Sequence, residues 1–120
     1  MTIERLQTYI DEMQEIGEEI RTFVAGMSYD DFAGNLLAQR GIGMNLLMIG
    51  EASMQLAKEF PEFVADHPDI PWIKIRGMRN RIAHGYRSIS METLWDTVQT
   101  SIPDLLDKLH SLRNWRAQGE

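Results

Sequence analysis

Residues 71–85 read PWIKIRGMRNRIAHG, and their polar side chains fall at spacings that could do chemistry. On a helix turning 100° per residue, Trp72, Ile75, Met78 and Ile82 share one face, suited to a core. Arg76, Asn80 and His84 follow at steps of four as a polar stripe beside it, with Arg79 at the boundary. His84 falls in the last turn, where the negative end of the helix dipole favours an imidazolium. Tyr86 and Arg87 come just past the end. A guanidinium, an amide and a titratable imidazole this close together are what metal-free RNA cleavage requires. The 2′-hydroxyl must lose a proton, the leaving 5′-oxygen must gain one, and the phosphate gathers charge between them. Imidazole suits proton transfer near neutrality, and guanidinium offers planar donors to phosphate. Asn80 is placed to hold the imidazole or the phosphate in register. Five residues separate Arg79 from His84, about 140° around a helix. One copy therefore converges poorly, and a two-fold dimer that juxtaposes two such helices would bring both chains' Arg and His to one cleft.

Charge marks the same segment. The chain carries 12 Lys and Arg against 18 Asp and Glu, a net charge of −6. Residues 70–91 nevertheless hold Lys74, Arg76, Arg79, Arg81 and Arg87 with no acid. An acidic body with one basic island argues against indiscriminate coating of nucleic acid and for a localised phosphate site.

Helices must position these groups. Ile3, Leu6, Ile10, Met13, Ile16, Ile20 and Val24 recur at steps of three or four after a Thr2 cap, predicting a long first helix. Ser28 and Asp31 form a capping-box pattern opening a second helical region over 29–60, with a kink or a close helix contact expected at Gly41 and Gly43. Pro61 begins a short turn, and His67, Pro68 and Pro71 mark a loop. The third main helix runs from Pro71, as its first residue, to a terminating Gly85. Ser90 caps the last, whose stripe is Leu94, Val98, Ile102, Leu105, Leu109 and Leu112 and which Pro103 should bend. His67 and His110 read as loop and surface positions; Trp72, Trp95 and Trp115 as packing or interface residues. With 120 residues, 43% apolar, and no alternating strand pattern, the expectation is a single all-α domain over 1–120, an up-down bundle of four main helices. The absence of cysteine excludes disulfides, thiolate metal sites and a thiol nucleophile. No metal-ligand motif stands out, and neither a leader nor a membrane span is evident, so a soluble cytoplasmic protein is expected.

The octapeptide Arg79-Asn80-Arg81-Ile82-Ala83-His84-Gly85-Tyr86 resembles the Arg, polar residue, three spacers, His, any residue, Tyr pattern of HepT-like HEPN-domain toxins. The flanks extend the resemblance over essentially the whole chain: Ile70-Pro71-Trp72, Gly77-Met78, Leu94-Trp95 and Ile49-Gly50-Glu51-Ala52. Residues 41–48, GIGMNLLM, are less typical of that family. The resemblance implies a homodimeric helical bundle acting as a metal-independent endoribonuclease, with Arg79 and His84 as the catalytic pair and Asn80 supporting them. It implies a minimal nucleotidyltransferase antitoxin as partner, which transfers AMP from ATP to Tyr86; the chain needs no cofactor of its own. A phosphate-linked adenosine beside Arg79, Arg87 and His84 would put charge and bulk where substrate phosphate binds.

Simpler readings stand beside these. On its own His84 would be a structural helix-end histidine, and Asn80 could satisfy a neighbouring helix. Arg76 suits either RNA phosphate or a surface ion pair. Tyr86 could pack its ring beneath the loop. Glu51, mid-helix among apolar neighbours, needs a cationic partner if buried, either structurally or in the site. Met44 and Met48, if exposed, would mark an interface. As a whole, the chain could instead bind nucleotide or RNA beside a nucleotidyltransferase without cleaving, or be a structural helical subunit.

Overall fold

Apolar residues three and four apart wind the chain into helices that bury one stripe each. The computed structural model describes the backbone of residues 2–119 and the side chains of residues 3–112. Helix α1 (Thr2–Phe23) buries Ile10, Met13 and Ile20, with Val24 just beyond it, and leaves Ile3 exposed. The expected Thr2 cap rests on a side chain outside the described residues. The chain then turns through Gly26, whose φ of +78° is a conformation L side chains rarely adopt. Ser28 and Asp31 form the expected capping box on α2 (Tyr29–Ala33).

The helical region expected over 29–60 is two helices, and its break lies at Gly34 and Asn35, not at Gly41 and Gly43. Asn35 caps α3 (Leu36–Glu59) by accepting from the Ala38 N–H at 2.9 Å. Gln39 donates back to the Phe32 and Ala33 carbonyls at 3.0 and 2.9 Å, taking up acceptors that the end of α2 leaves open. Gly41 and Gly43 sit inside an unbroken α3, where neighbouring side chains press onto them. Buried Asn45 ties α3 to α1, donating to the Ile16 carbonyl and to Glu19.

Pro61 opens the short α4 (Pro61–Asp66). The loop beyond it is fastened by Trp72 Nε1–H on the His67 carbonyl at 2.9 Å, and His67 is half-buried against Phe63. Helix α5 (Trp72–Gly85) has Pro71 as its cap and not as its first residue, so it starts one residue later than expected. It ends on Gly85, as expected, in extended backbone (φ −173°), and passes into a 3-10 turn, Tyr86–Ser88. Ser90 caps α6 (Met91–Asp96) as expected. A π-helical turn, Thr97–Ser101, joins it to α7 (Ile102–Gly119). Pro103 lacks an N–H and crowds the carbonyl four residues back, and the widened turn accommodates both. Trp115 lies outside the described side chains.

The fold is all-α, with four long helical runs: α1, α3, α5, and α6 through α7. Helix α3 lies between α1 and α5, α7 packs on α1, and Phe32 of α2 meets Trp95 of α6 at 5.2 Å between ring centroids. Met13, Ile20, Phe32, Ile42, Leu56, Leu94 and Leu109 form the fully enclosed centre.

Candidate active site

Helix α5 reaches α3 across two glycines. A Cβ added at Gly50 would lie 2.6 Å from Arg79 Cγ and 3.5 Å from its Cα. One added at Gly43 would lie 2.5 Å from Tyr86 Cε1 and 3.1 Å from Cζ. Gly43 and Gly50 are seven apart, two helical turns, as are Arg79 and Tyr86, and the pairs meet in reverse order. The helices are thus antiparallel, and their register carries Arg79 to Glu51. The close contact expected of Gly43 is real. Gly50 was read only as part of a family flank, though its seven-residue spacing was visible in the sequence.

Ile75, Met78 and Ile82 turn α5 towards the core, as predicted, leaving Arg76, Asn80, Arg81 and His84 exposed. Arg79 is half-buried. Its Nε–H and Nη2–H both reach Glu51 Oε1 at 2.6 Å, and its Nη1–H donates to Asn80 Oδ1 at 3.1 Å. A guanidinium has five N–H donors, so two are left without an acceptor among the described residues and are open to a ligand such as a phosphate oxygen. Glu51 is 48% exposed and not buried as its apolar neighbours suggested; it partners Arg79 nonetheless. Asn80, expected on the imidazole or the phosphate, holds the guanidinium.

His84 is exposed at the C-terminal end of α5 and makes no hydrogen bond among the described residues. Nothing among the described residues brings it onto Arg79. Arg76 and Arg87 are exposed, and neither forms an ion pair among the described residues, so the surface-pair reading of Arg76 finds no counterpart there.

Tyr86 packs, but on α3 and not beneath its loop. The ring lies on Gly43, the hydroxyl donates to the Gln39 carbonyl at 2.6 Å, and the Arg40 guanidinium stands 5.2 Å from the ring centroid. Neither Gln39 nor Arg40 could be singled out from sequence, since a backbone carbonyl leaves no residue-type signal.

Beside the site, α3 exposes Leu37 (83%), Met44 (55%) and Met48 (36%). Their spacing puts them on one line that reaches Glu51 one turn on. Among the described residues no group of three His, Asp or Glu is placed to hold a metal ion, and no helix is long and apolar enough to cross a membrane.

Residues 13–112 match the family profile described as Ribonuclease HepT-like. A protein of Thermococcus cleftensis named "Probable ribonuclease HepT" is 32% identical over 105 residues, covering 88% of this chain and 93% of the relative. A "Putative RNase" of Caldanaerobacter subterraneus subsp. tengcongensis is 33% identical over 97 residues, covering 81% and 84%. One of Methanocaldococcus jannaschii is 27% identical over 100 residues, covering 83% and 80%. No solved structure matches the chain.

Proposed function

The chain belongs to the Ribonuclease HepT-like family, and from that premise we propose that it is a metal-independent endoribonuclease toxin working at Arg79, Asn80 and His84. The observation that carries this reading is Arg79, fixed by Glu51 and Asn80 with two N–H donors to spare, on the helix that exposes His84. The RNA 2′-oxygen attacks the adjacent phosphorus and gives its proton to a base. The P–O5′ bond breaks and the 5′-oxygen takes a proton from an acid, leaving a 2′,3′-cyclic phosphate and a 5′-hydroxyl. Imidazole and imidazolium from two copies of His84 supply base and acid. The spare Arg79 donors stabilise the charge gathering on the phosphoryl oxygens. Arg76 and Arg87, exposed and unpaired among the described residues, extend the phosphate contacts.

Two copies are required because Arg79 and His84 diverge on a single α5. The exposed line of Leu37, Met44 and Met48 supports a two-fold contact through α3 next to Glu51 and Arg79. For the off-switch, a cytoplasmic nucleotidyltransferase partner transfers AMP to Tyr86. The Tyr86 oxygen attacks the α-phosphorus of ATP, loses its proton and expels pyrophosphate, with Arg40 beside the ring to receive the new charge. In this reading ATP is the partner's substrate, and the reaction asks no cofactor of this chain.

The test is tight induction of wild type and His84→Ala with cellular RNA resolved on a gel. Growth arrest and fragmented RNA with wild type alone, unaltered by a chelator in the purified reaction, are expected. Intact RNA with both folded proteins would favour the second reading, a partner that binds nucleotide or RNA without cleaving.

A further inference from the structure

The chain between Ile82 and Ile89, both buried, carries His84 through a stretch whose other bonds are local to the turn: Ser88 Oγ–H donates to the Gly85 carbonyl at 2.6 Å and the Ile89 N–H to the Tyr86 carbonyl at 3.1 Å. Ala83, His84, Arg87 and Ser88 are exposed. Gly85 stands immediately after His84, and its extended backbone ends the helix there. Glycine imposes little conformational restraint, and the last carbonyls of a helix lack partners within it. In this stretch Tyr86 alone seats its side chain on another helix. Gly43 leaves open the space its ring fills, and Gln39, four residues before Gly43 on the same face of α3, supplies the acceptor for its hydroxyl at 2.6 Å. Arg40 closes over the ring.

We propose that Tyr86 is a positioning residue: seated on Gly43 and bonded to the Gln39 carbonyl, it clamps the end of α5 to α3 and thereby fixes where His84 stands. The proposal rests on the reading in which His84 moves protons in RNA cleavage, but the clamp is a property of the unmodified tyrosine and needs no partner. It also bears on the off-switch. With Oη 2.6 Å from a carbonyl oxygen, a group bonded to Oη cannot share the seat. A modified Tyr86 must leave Gly43 and release His84, so the imidazole is displaced as well as screened from phosphate.

The test uses the full chain, a mixed-sequence fluorogenic RNA oligonucleotide, and the variants Tyr86→Phe, Tyr86→Ala, Gly43→Ala and Gly43→Ala with Tyr86→Ala. Tyr86→Phe keeps the seat and loses one hydrogen bond, so kcat should fall about fivefold. Tyr86→Ala and Gly43→Ala should each lower kcat about a hundredfold, with KM within about twofold. In the Tyr86→Ala background, Gly43→Ala should cost nothing further, because its methyl group then meets no ring. The His84 ring resonances should shift or broaden in Tyr86→Ala and in Gly43→Ala. Thermal melts establish that each variant is folded, and the double variant shows that α3 accepts the methyl group. Wild-type kcat in Tyr86→Ala, or an equal loss from Gly43→Ala with and without the ring, would overturn the clamp. Should the wild type not cleave RNA, the functional reading fails, and the His84 resonances alone decide: unchanged signals in Tyr86→Ala overturn the clamp, and shifted signals sustain it.

Discussion

Glu51 meets the Nε and Nη2 of Arg79 with one carboxylate oxygen, at 2.6 Å each, so the guanidinium offered to phosphate in the proposed reaction is both oriented and charge-compensated. These two effects separate on substitution. Glu51→Gln removes the compensating charge, leaving Arg79 more attractive to RNA, and loosens the fork, leaving it worse aimed. The expected outcome is a lower KM together with a kcat reduced about tenfold, of the size one charge-assisted hydrogen bond carries. A raised KM with unchanged kcat in steady-state cleavage would mean that Glu51 contributes only to binding. At this scale the residue types were legible: Arg79, Asn80, His84, Tyr86 and Glu51 could all be picked out from type and spacing. Their partners could not, because Asn80 on a guanidinium and Tyr86 on a backbone carbonyl are outcomes of helix register.

That register is set by Gly43 and Gly50, and alanine placed at Gly50 and at Gly77, which meets no neighbour, should move stability in opposite directions. A methyl group at Gly50 meets the Arg79 stem and backbone. Overpacking of about 1–3 kcal/mol outweighs the ~1 kcal/mol gained by removing a helix-interior glycine. At Gly77, on the exposed side of α5, a Cβ meets nothing within 4 Å, so the ~1 kcal/mol gain stands alone. Urea midpoints should therefore fall for Gly50→Ala and rise for Gly77→Ala. A further device joins α1 to the end of α3: the Tyr9 hydroxyl donates to Glu59, and Arg5 pairs with the same carboxylate at 2.6 Å. The Tyr9 hydrogen bond, helped by Arg5 against some desolvation, holds Glu59 below the usual carboxylate range. Its contribution is full above the unfolded-state value and is lost as pH falls through the lower folded value. Stability measured through mildly acidic pH should decline less steeply in Glu59→Gln than in wild type. The helices themselves were legible from apolar spacing, and the caps at Ser28 and Ser90 from local chemistry. The break at Asn35 was not. Glycine at 41 and 43 looked the stronger breaker because propensity alone ignores the side chains that press onto them.

Across the molecule, five of the 12 basic residues sit on α5 and the turn after it with no acid among them, against an otherwise acidic body. An apolar line crosses α3 next to them. Two such faces brought together would bury Met44 and Met48 and set two α5 helices side by side. A glutamate at Met44 or Met48 would put charge into that contact. Light scattering should then report monomers for Met44→Glu and Met48→Glu, with native helical content and no RNA cleavage; a fully active monomer would remove the need for a second copy. The dimer was inferred from the 140° between Arg79 and His84, an argument that stands whichever face joins. The most direct test mixes two dead chains. Arg79→Ala and His84→Ala should each be inactive as homodimers, whereas the proposed mixed dimer keeps Arg79 from one protomer and one His84 from its partner in the shared cleft. Co-expression and purification of the mixed species should recover cleavage well above either homodimer and below wild type, since the shared cleft regains a guanidinium beside one of its two imidazoles. An isolated mixed dimer that leaves RNA intact would contradict a cleft shared between protomers.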